Sequence, residues 1–433
     1  MNINIRKWNN LNKEEKDRIF ARSELNISEV SDSVSAIIEK VENEGDNALI
    51  EFTRKFDGVD ISSLPLLVQE EEYIEAEKML PDNLKEAIKF SINNVKTFHI
   101  EQKPVKMSFS EVSPGIFAGE RPSPLTSAGL YVPRGRGSFP SMLYMLAVPA
   151  SIAEVERIVV VSPPIAGGKV DPAYLYTAKL CGVHEVYRVG GAQSIAALAL
   201  GTESIAPVIK LSGPGSMYIA AAKRLLSSKV DAGLPAGPSE SIVLADEAAD
   251  SFKVAIDLMI EAEHGSDSSA LLVTPSENLA NEVAEIIISK TSTLPQPRKG
   301  FVEDVMSGYG GIIITESLQQ AADIVNRFAP EHLQLQTKDP FDTLKLIKNA
   351  GEILMGDSTP FSVANYSTGA NAVLPTGGGA KTYSAVSVRD FIKYSSVVYT
   401  TENGLKNAAP HVKSLADYEG FITHGNAIRE RGL

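Results

Sequence analysis

The sequence predicts an α/β protein with two parallel-sheet domains, a helical N-terminal piece and a C-terminal tail. Three observations carry this. The chain has 433 residues, more than a single hydrophobic core accommodates. Amphipathic helical spacing dominates its first hundred residues. From residue 128 onward, short β-rich runs alternate with helix-length segments, the pattern of parallel strands joined by crossover helices.

Residues 1 to about 27 are polar with scattered apolar positions and read as one or two short helices. Between Val30 and Phe56 the apolar residues Val34, Ile37, Ile38, Val41, Ala48, Leu49 and Phe52 recur at helical spacing. A second amphipathic stretch runs from Glu71 to His99. Pro81-Asp82-Asn83 divides it with a helix stop and a new N-cap. The character changes at Ala128-Gly-Leu-Tyr-Val-Pro133. Strands are then predicted at Arg157–Val161, Glu185–Val189, Val208–Leu211, Ser241–Leu244, Ala270–Thr274, Ile312–Thr315 and Glu352–Met355. That many strands suit two α/β units better than one sheet. From Tyr383 the chain returns to helical and irregular character, without repeats or low-complexity tracts.

Composition excludes several function classes. A net charge of −13 argues against nucleic acid or an anionic membrane as partner, since either needs clustered Lys and Arg. A small anionic substrate stays possible, because a local cationic pocket can sit within an acidic surface. The single cysteine, Cys181, permits neither an intrachain disulfide nor a cysteine-built zinc site. The N-terminus has no apolar signal region. Met142–Ala153, the most apolar run, is shorter than the ~20 residues a bilayer span needs. A cytoplasmic protein is the expectation.

The strongest chemical signal is Phe328-Ala-Pro-Glu-His-Leu333. An imidazole titrates near neutrality, and the carboxylate beside it offers a second acid/base of different strength. Such a pair suits a reaction with two distinct proton transfers. The helical pattern from Glu316 to Phe328 must end here because of Pro330, so Glu331 and His332 are expected on a tight turn at a helix end. On its own, a Glu-His turn is more often a solvated turn. Glu261 and His264, at i and i+3, share a helix face; with Asn365 and His424 they include metal-ligating types but form no zinc signature by spacing. Gly190-Gly-Ala-Gln193 follows a strand and can approach a phosphate or simply turn the chain. Gly213-Pro-Gly215 lacks the third glycine of the dinucleotide motif, and Ala380 occupies the glycine position of a phosphate loop.

Together these stretches resemble the histidinol dehydrogenase family over essentially the whole chain. Tyr131-Val-Pro133, Gly190-Gly-Ala-Gln193, Leu234-Pro-Ala-Gly-Pro-Ser-Glu240, Ala262-Glu-His-Gly265, Phe328-Ala-Pro-Glu-His332, Val373-Leu-Pro-Thr376 and His424-Gly-Asn-Ala427 fall in family order. The resemblance implies two incomplete Rossmann-like domains and a homodimer with shared active sites. It places a helical segment at 1–27, a first α/β domain at 28–130 and 240–382, a second at 131–239 that takes NAD, and a tail at 383–433 that reaches the partner's site. It implies NAD-dependent oxidation of a primary alcohol through the aldehyde to the carboxylate. His332 would be the base for the alcohol proton, and Glu331 would activate water on the aldehyde. Tyr131, Gln193 and Ser216 fall at NAD-contact positions; Ser239, Tyr366 and Glu419 fall at or near substrate-contact positions. One zinc per subunit would be held by Glu261, His264, Asn365 and His424.

The sequence also departs from that family. Histidinol enzymes have Gln at the place of Glu261, Asp at that of Asn365, His at that of Ala372, Asn at that of Ser216 and Gly at that of Arg134. The first two changes exchange carboxylate and amide, so the ligand set still holds one carboxylate, two imidazoles and one amide oxygen, all acceptable to zinc. That balance suggests a rewired metal site rather than a lost one. Ala372 removes an imidazole from the pocket wall, and Arg134 adds a permanent cation suited to oxyanions. Arg134 or Arg136 could equally contact the NAD pyrophosphate. These features favour a small anionic diol such as 2,3-dihydroxypropane-1-sulfonate (sulfopropanediol) as substrate, as in one branch of the family. True histidinol dehydrogenase is the alternative. A non-catalytic paralogue is disfavoured by retention of both Glu331 and His332.

Overall fold

The computed structural model describes residues 1–21, 27–134 and 137–433, the side chains of residues 27 and 28 excepted. Part of the predicted N-terminal segment and Arg136 therefore lie outside the described residues. The chain divides into two compact units. Met1–Gln102 with Leu125–Phe391 forms the first, and Lys103–Pro124 with Ile392–Leu433 forms the second.

The first unit holds two parallel sheets, as the alternating pattern predicts. It begins with β1 (Ile5–Lys7), a strand in a stretch whose polarity suggested only helix. In the second unit come β2 (Ser108–Ser113) and β3 (Ile116–Pro124). The smaller parallel sheet contains β4 (Ser127–Tyr131), β5 (Arg157–Val161), β6 (Glu185–Tyr187) and β7 (Leu211–Ser212), in spatial order β6-β5-β4-β7. The larger takes β8 (Glu240–Ala245), β9 (Ser269–Thr274), β10 (Gly311–Ile314), β11 (His332–Gln336) and β12 (Glu352–Met355). With β1 at one edge its order is β1-β10-β9-β8-β11-β12. Finally β13 (Ile392–Thr400) pairs antiparallel with β3 in the second unit.

Both faces of the larger sheet are covered. Val243, Leu272 and Ile312 pack with Val254, Leu258, Val283 and Ile287 on one side. Ile242, Leu271 and Ile313 pack with Ile324, Val325 and Phe328 on the other. This two-sided burial explains why β8, β9 and β10 read as nearly unbroken apolar runs. The helix Ile27–Glu44 and Leu49, Phe52 and Ile61 share a core with Val159, Val161, Ile195 and Leu198 of the smaller sheet's half.

β1, β2, β3, β11 and β13 escaped the sequence reading, and β11 and β13 did so for different reasons. β11 alternates His, Leu, Gln, Leu, Gln, which looks half-exposed, yet all five residues are buried. Leu333 and Leu335 enter the core, while the glutamine amide nitrogens find tertiary partners: Gln336 donates to Asp257 Oδ2 at 2.9 Å and Gln334 to the Thr359 carbonyl at 3.1 Å. β13 lies in the stretch expected to be helical and irregular. It pairs in register from Ile392↔Pro124 to Thr400↔Ile116, so its partner is more than 260 residues away and leaves no local trace. The rest of the second unit is mainly two helices, Glu402–Glu419 and Ile422–Arg429, tied by Arg429 to Asp417 at 2.6 Å.

Candidate active site

The helix Leu318–Phe328 ends at Ala329, whose φ of 53° is left-handed and costs a non-glycine residue roughly 1–2 kcal/mol. Pro330 follows, and the chain enters the interior strand β11 at once. The predicted turn is therefore Ala329–Glu331, with His332 already the first strand residue rather than part of the turn. Glu331 and His332 are 8 % and 3 % exposed, so this is no solvated surface turn.

Backbone and side chains hold the pair. Glu331 Oε2 accepts the Glu240 backbone N–H at 2.9 Å, and Glu331 Oε1 lies 3.9 Å from His332 Nε2. His332 Nδ1 donates to Glu352 Oε2 at 3.1 Å, and the Phe361 ring meets the imidazole edge-on at 5.8 Å. Burial pushes the Glu331 carboxyl up to about 8, with Glu261 and Glu240 adding to the effect against His332. Burial works against charge on His332, but Glu261, Glu352 and Glu331 outweigh it and raise the imidazole. The pair thus holds buried protons with displaced affinities, as acid/base chemistry requires.

Beside the pair stands a polar cluster. Glu261 lies in the last turn of the helix Ser251–Ala262 and is 1 % exposed. Its Oε2 is 2.8 Å from His264 Nδ1, just past the helix end, as the i, i+3 spacing predicts. Its Oε1 accepts from Asn365 Nδ2 at 3.0 Å, and Asn365 belongs to the short helix Phe361–Tyr366. Burial opposes the charge on Glu261, but His264, His332 and the Asn365 amide hold its carboxyl at about 2. Carboxylate, imidazole and amide are donor types a divalent cation accepts, and such a cation would need the Asn365 amide turned, since its nitrogen faces Glu261. Among the described residues no group of three His, Cys, Asp or Glu side chains is placed to hold a metal, so this set depends on an amide donor.

A cavity of about 840 Å³ opens onto both groups. Glu331, His332, Glu261, His264 and Asn365 line it, together with Ser239, Tyr366 and Ala372. From the smaller sheet's side come Arg134 and Ser216. The two sheets meet it oppositely. β4 and β7 approach with their carboxyl ends, whereas β8 and β11 bring their amino ends, with Ser239 just before β8 and His332 at the start of β11. The usual rule, which looks for ligands at carboxyl ends, describes only the smaller sheet. Tyr366 is 58 % exposed, and its carbonyl accepts the Tyr144 hydroxyl at 2.7 Å. Arg134 is exposed, and its charge acts on the half-buried Asp57 carboxyl, which burial raises to about 6.

Tyr131 and Gln193 are not in that lining. Tyr131 ends β4 nearly buried, hydrogen-bonded to the backbone at Gly191. Gln193 is in the first turn of the helix Gly191–Leu200, and neither of its buried amide atoms has a hydrogen-bond partner. An orphaned amide at a helix start, behind Gly191 with its φ of 63°, is consistent with a dinucleotide site. Ser216 is the N-cap of the helix Met217–Leu225 and leaves its side chain out of the cap. Glu419 and His424 belong to the second unit. Glu419 ends the helix Glu402–Glu419, and the exposed His424 ring lies tilted by 49° against Phe421, centroids 5.1 Å apart. The sequence reading missed Glu240 and Glu352, since charged residues at strand heads look solvent-facing until the sheet is assembled.

The comparisons agree with this architecture. The family model for histidinol dehydrogenase matches residues 20–432. The chain is 50 % identical over 427 residues to a protein of Synechocystis sp. named histidinol dehydrogenase, covering 99 % of this chain and 98 % of that one. It is 45 % identical over 427 residues to a histidinol dehydrogenase homolog of Rhizobium meliloti, covering 98 % and 94 %. The crystal structure of histidinol dehydrogenase from Elizabethkingia anophelis superposes with a TM-score of 0.93 at 32 % identity, covering 100 % and 98 %. No helix among the described residues is long and apolar enough to cross a membrane. The chain belongs to the histidinol dehydrogenase family, NAD-dependent oxidoreductases that act on a CH–OH group and then on the aldehyde.

Proposed function

We propose that the protein oxidises a primary alcohol to the carboxylate in two NAD-dependent steps, with L-histidinol as substrate. The observation that carries the chemistry is the buried Glu331–His332 pair facing the Glu261/His264/Asn365 cluster across one cavity. The 50 % identity to a protein named histidinol dehydrogenase supports the substrate. NAD, held near Tyr131, Gln193 and Ser216, supplies a hydride acceptor in each step. Glu261, His264, Asn365 and the tail's His424 would hold a zinc ion, which would supply a Lewis acid for the substrate oxygen.

The chain's own residues do the proton work. His332 Nε2 takes the hydroxyl proton as the carbinol C–H bond gives up its hydride. Glu331 takes a proton from the water that adds to the aldehyde carbon, and the resulting hydrate loses the second hydride. Ser239, Tyr366 and Glu419 orient the substrate. A homodimer completes the site through the tail, where Leu415, Tyr418, Phe421 and Ile422 leave an apolar surface 54–91 % exposed.

One observation favours a second substrate. Ala372 and Arg134 line the same cavity, so its wall lacks the imidazole that histidinol enzymes carry at the place of Ala372 and gains a guanidinium. A sulfonate beside a hydroxyl suits that wall, which keeps sulfopropanediol as the competing reading. NADH formation by the purified protein with L-histidinol and with sulfopropanediol, assayed side by side, decides between them. Faster turnover of the sulfonate overturns the histidinol reading. Turnover of neither removes both.

A further inference from the structure

The role of His332 as a base raises a question of tautomer, and Glu352 answers it. We propose that Glu352 is the positioning residue of His332, fixing the ring so that Nε2 is the nitrogen that exchanges a proton with the substrate in the cavity. The inference rests on the reading of His332 as the base.

Parallel strands β11 and β12 place His332 directly opposite Glu352, and the Glu352 backbone N–H donates to the Glu331 carbonyl at 2.9 Å. The two side chains, 4 % and 8 % exposed, meet through Nδ1 and Oε2 at 3.1 Å. A carboxylate oxygen accepts, so Nδ1 donates in this contact, and Nε2 is the nitrogen left to exchange a proton on the cavity side. Nε2 is the atom 3.9 Å from Glu331 Oε1, on the side of the cavity that both residues line. Phe361, edge-on at 71°, packs against the ring. The other oxygen, Glu352 Oε1, is buried without a hydrogen-bond partner. Among the described residues, the side-chain hydrogen bond of this carboxylate goes to the imidazole.

The test is Glu352→Gln, which keeps size and shape but can donate or accept at Nδ1 and so no longer dictates the tautomer. With whichever alcohol the wild type oxidises, kcat falls at least ~100-fold, in line with loss of an orienting carboxylate beside a histidine base. KM for alcohol and NAD and the thermal midpoint stay within about twofold and a few degrees. Glu352→Asp, which keeps the charge at shorter reach, recovers part of the lost kcat. Wild-type kcat in Glu352→Gln overturns the proposal, as does a loss of kcat that only parallels a loss of folded protein. His332→Ala separates the two readings. If it stays active the base assignment itself fails, whereas an inactive His332→Ala beside a fully active Glu352→Gln removes only the positioning role.

Discussion

Glu331→Gln should stabilise the protein while disabling its second oxidation, and the stabilisation should depend on pH. Burial holds this carboxyl at about 8 instead of 4.5. The folded-state value is raised, so folding must discharge a group that the unfolded chain ionises above about pH 4.5. That penalty is absent below this value, grows as pH rises, and reaches its full size above about pH 8. At about 1.4 kcal/mol per pH unit the limit is about 5 kcal/mol. Glutamine is neutral at every pH and keeps an oxygen for the Glu240 N–H, so it removes the penalty without opening a cavity. Urea unfolding of metal-free wild type and Glu331→Gln, at pH 5 and pH 8.5, reads the effect. The variant's advantage should be near zero at pH 5 and a few kcal/mol at pH 8.5. Its oxidation of supplied aldehyde should fall by ~10²–10⁴ while alcohol oxidation persists. An advantage independent of pH, or a variant less stable at pH 8.5, refutes the reasoning.

Other consequences are as direct. In the wild type, the aldehyde-oxidation rate should climb with pH toward about 8 as Glu331 ionises, and a profile already flat from pH 6 would exclude it as the base. Glu261→Gln leaves the metal cluster without a carboxylate and Asn365→Asp gives it two; each should lower metal content and activity, and the double variant should recover both. Strict additivity in that cycle would remove the charge-balance argument. Arg134→Ala should raise KM for sulfopropanediol at least tenfold and leave KM for NAD unchanged if the guanidinium faces an anionic substrate; a rise for NAD alone moves it to the cofactor.

Local chemistry carried much of this into the sequence. Helical spacing from Val30 to Phe52, the apolar runs of β5, β9 and β10, and the stop at Pro330 each depend on neighbours a few residues away. The same holds for Glu261 and His264, which one helix turn brings within 2.8 Å. Glu331 and His332 stood out because adjacent acid and base residues need no tertiary context to be noticed.

What only the tertiary structure decided is how distant segments meet. The burial that raises Glu331 comes from distant segments packed around the head of β11, and no pattern in Phe328–Leu333 encodes it. β11 is interior despite its glutamines, whose amide nitrogens donate to Asp257 and the Thr359 carbonyl. Asn365 reaches Glu261 across 104 positions, and Glu352 reaches His332 across 20 through the register of two parallel strands. Periodicity fixes which face of an element is apolar, but register and sheet order are set by packing among elements far apart in the chain. The cavity, its tautomer and its displaced proton affinities therefore belong to the folded protein alone.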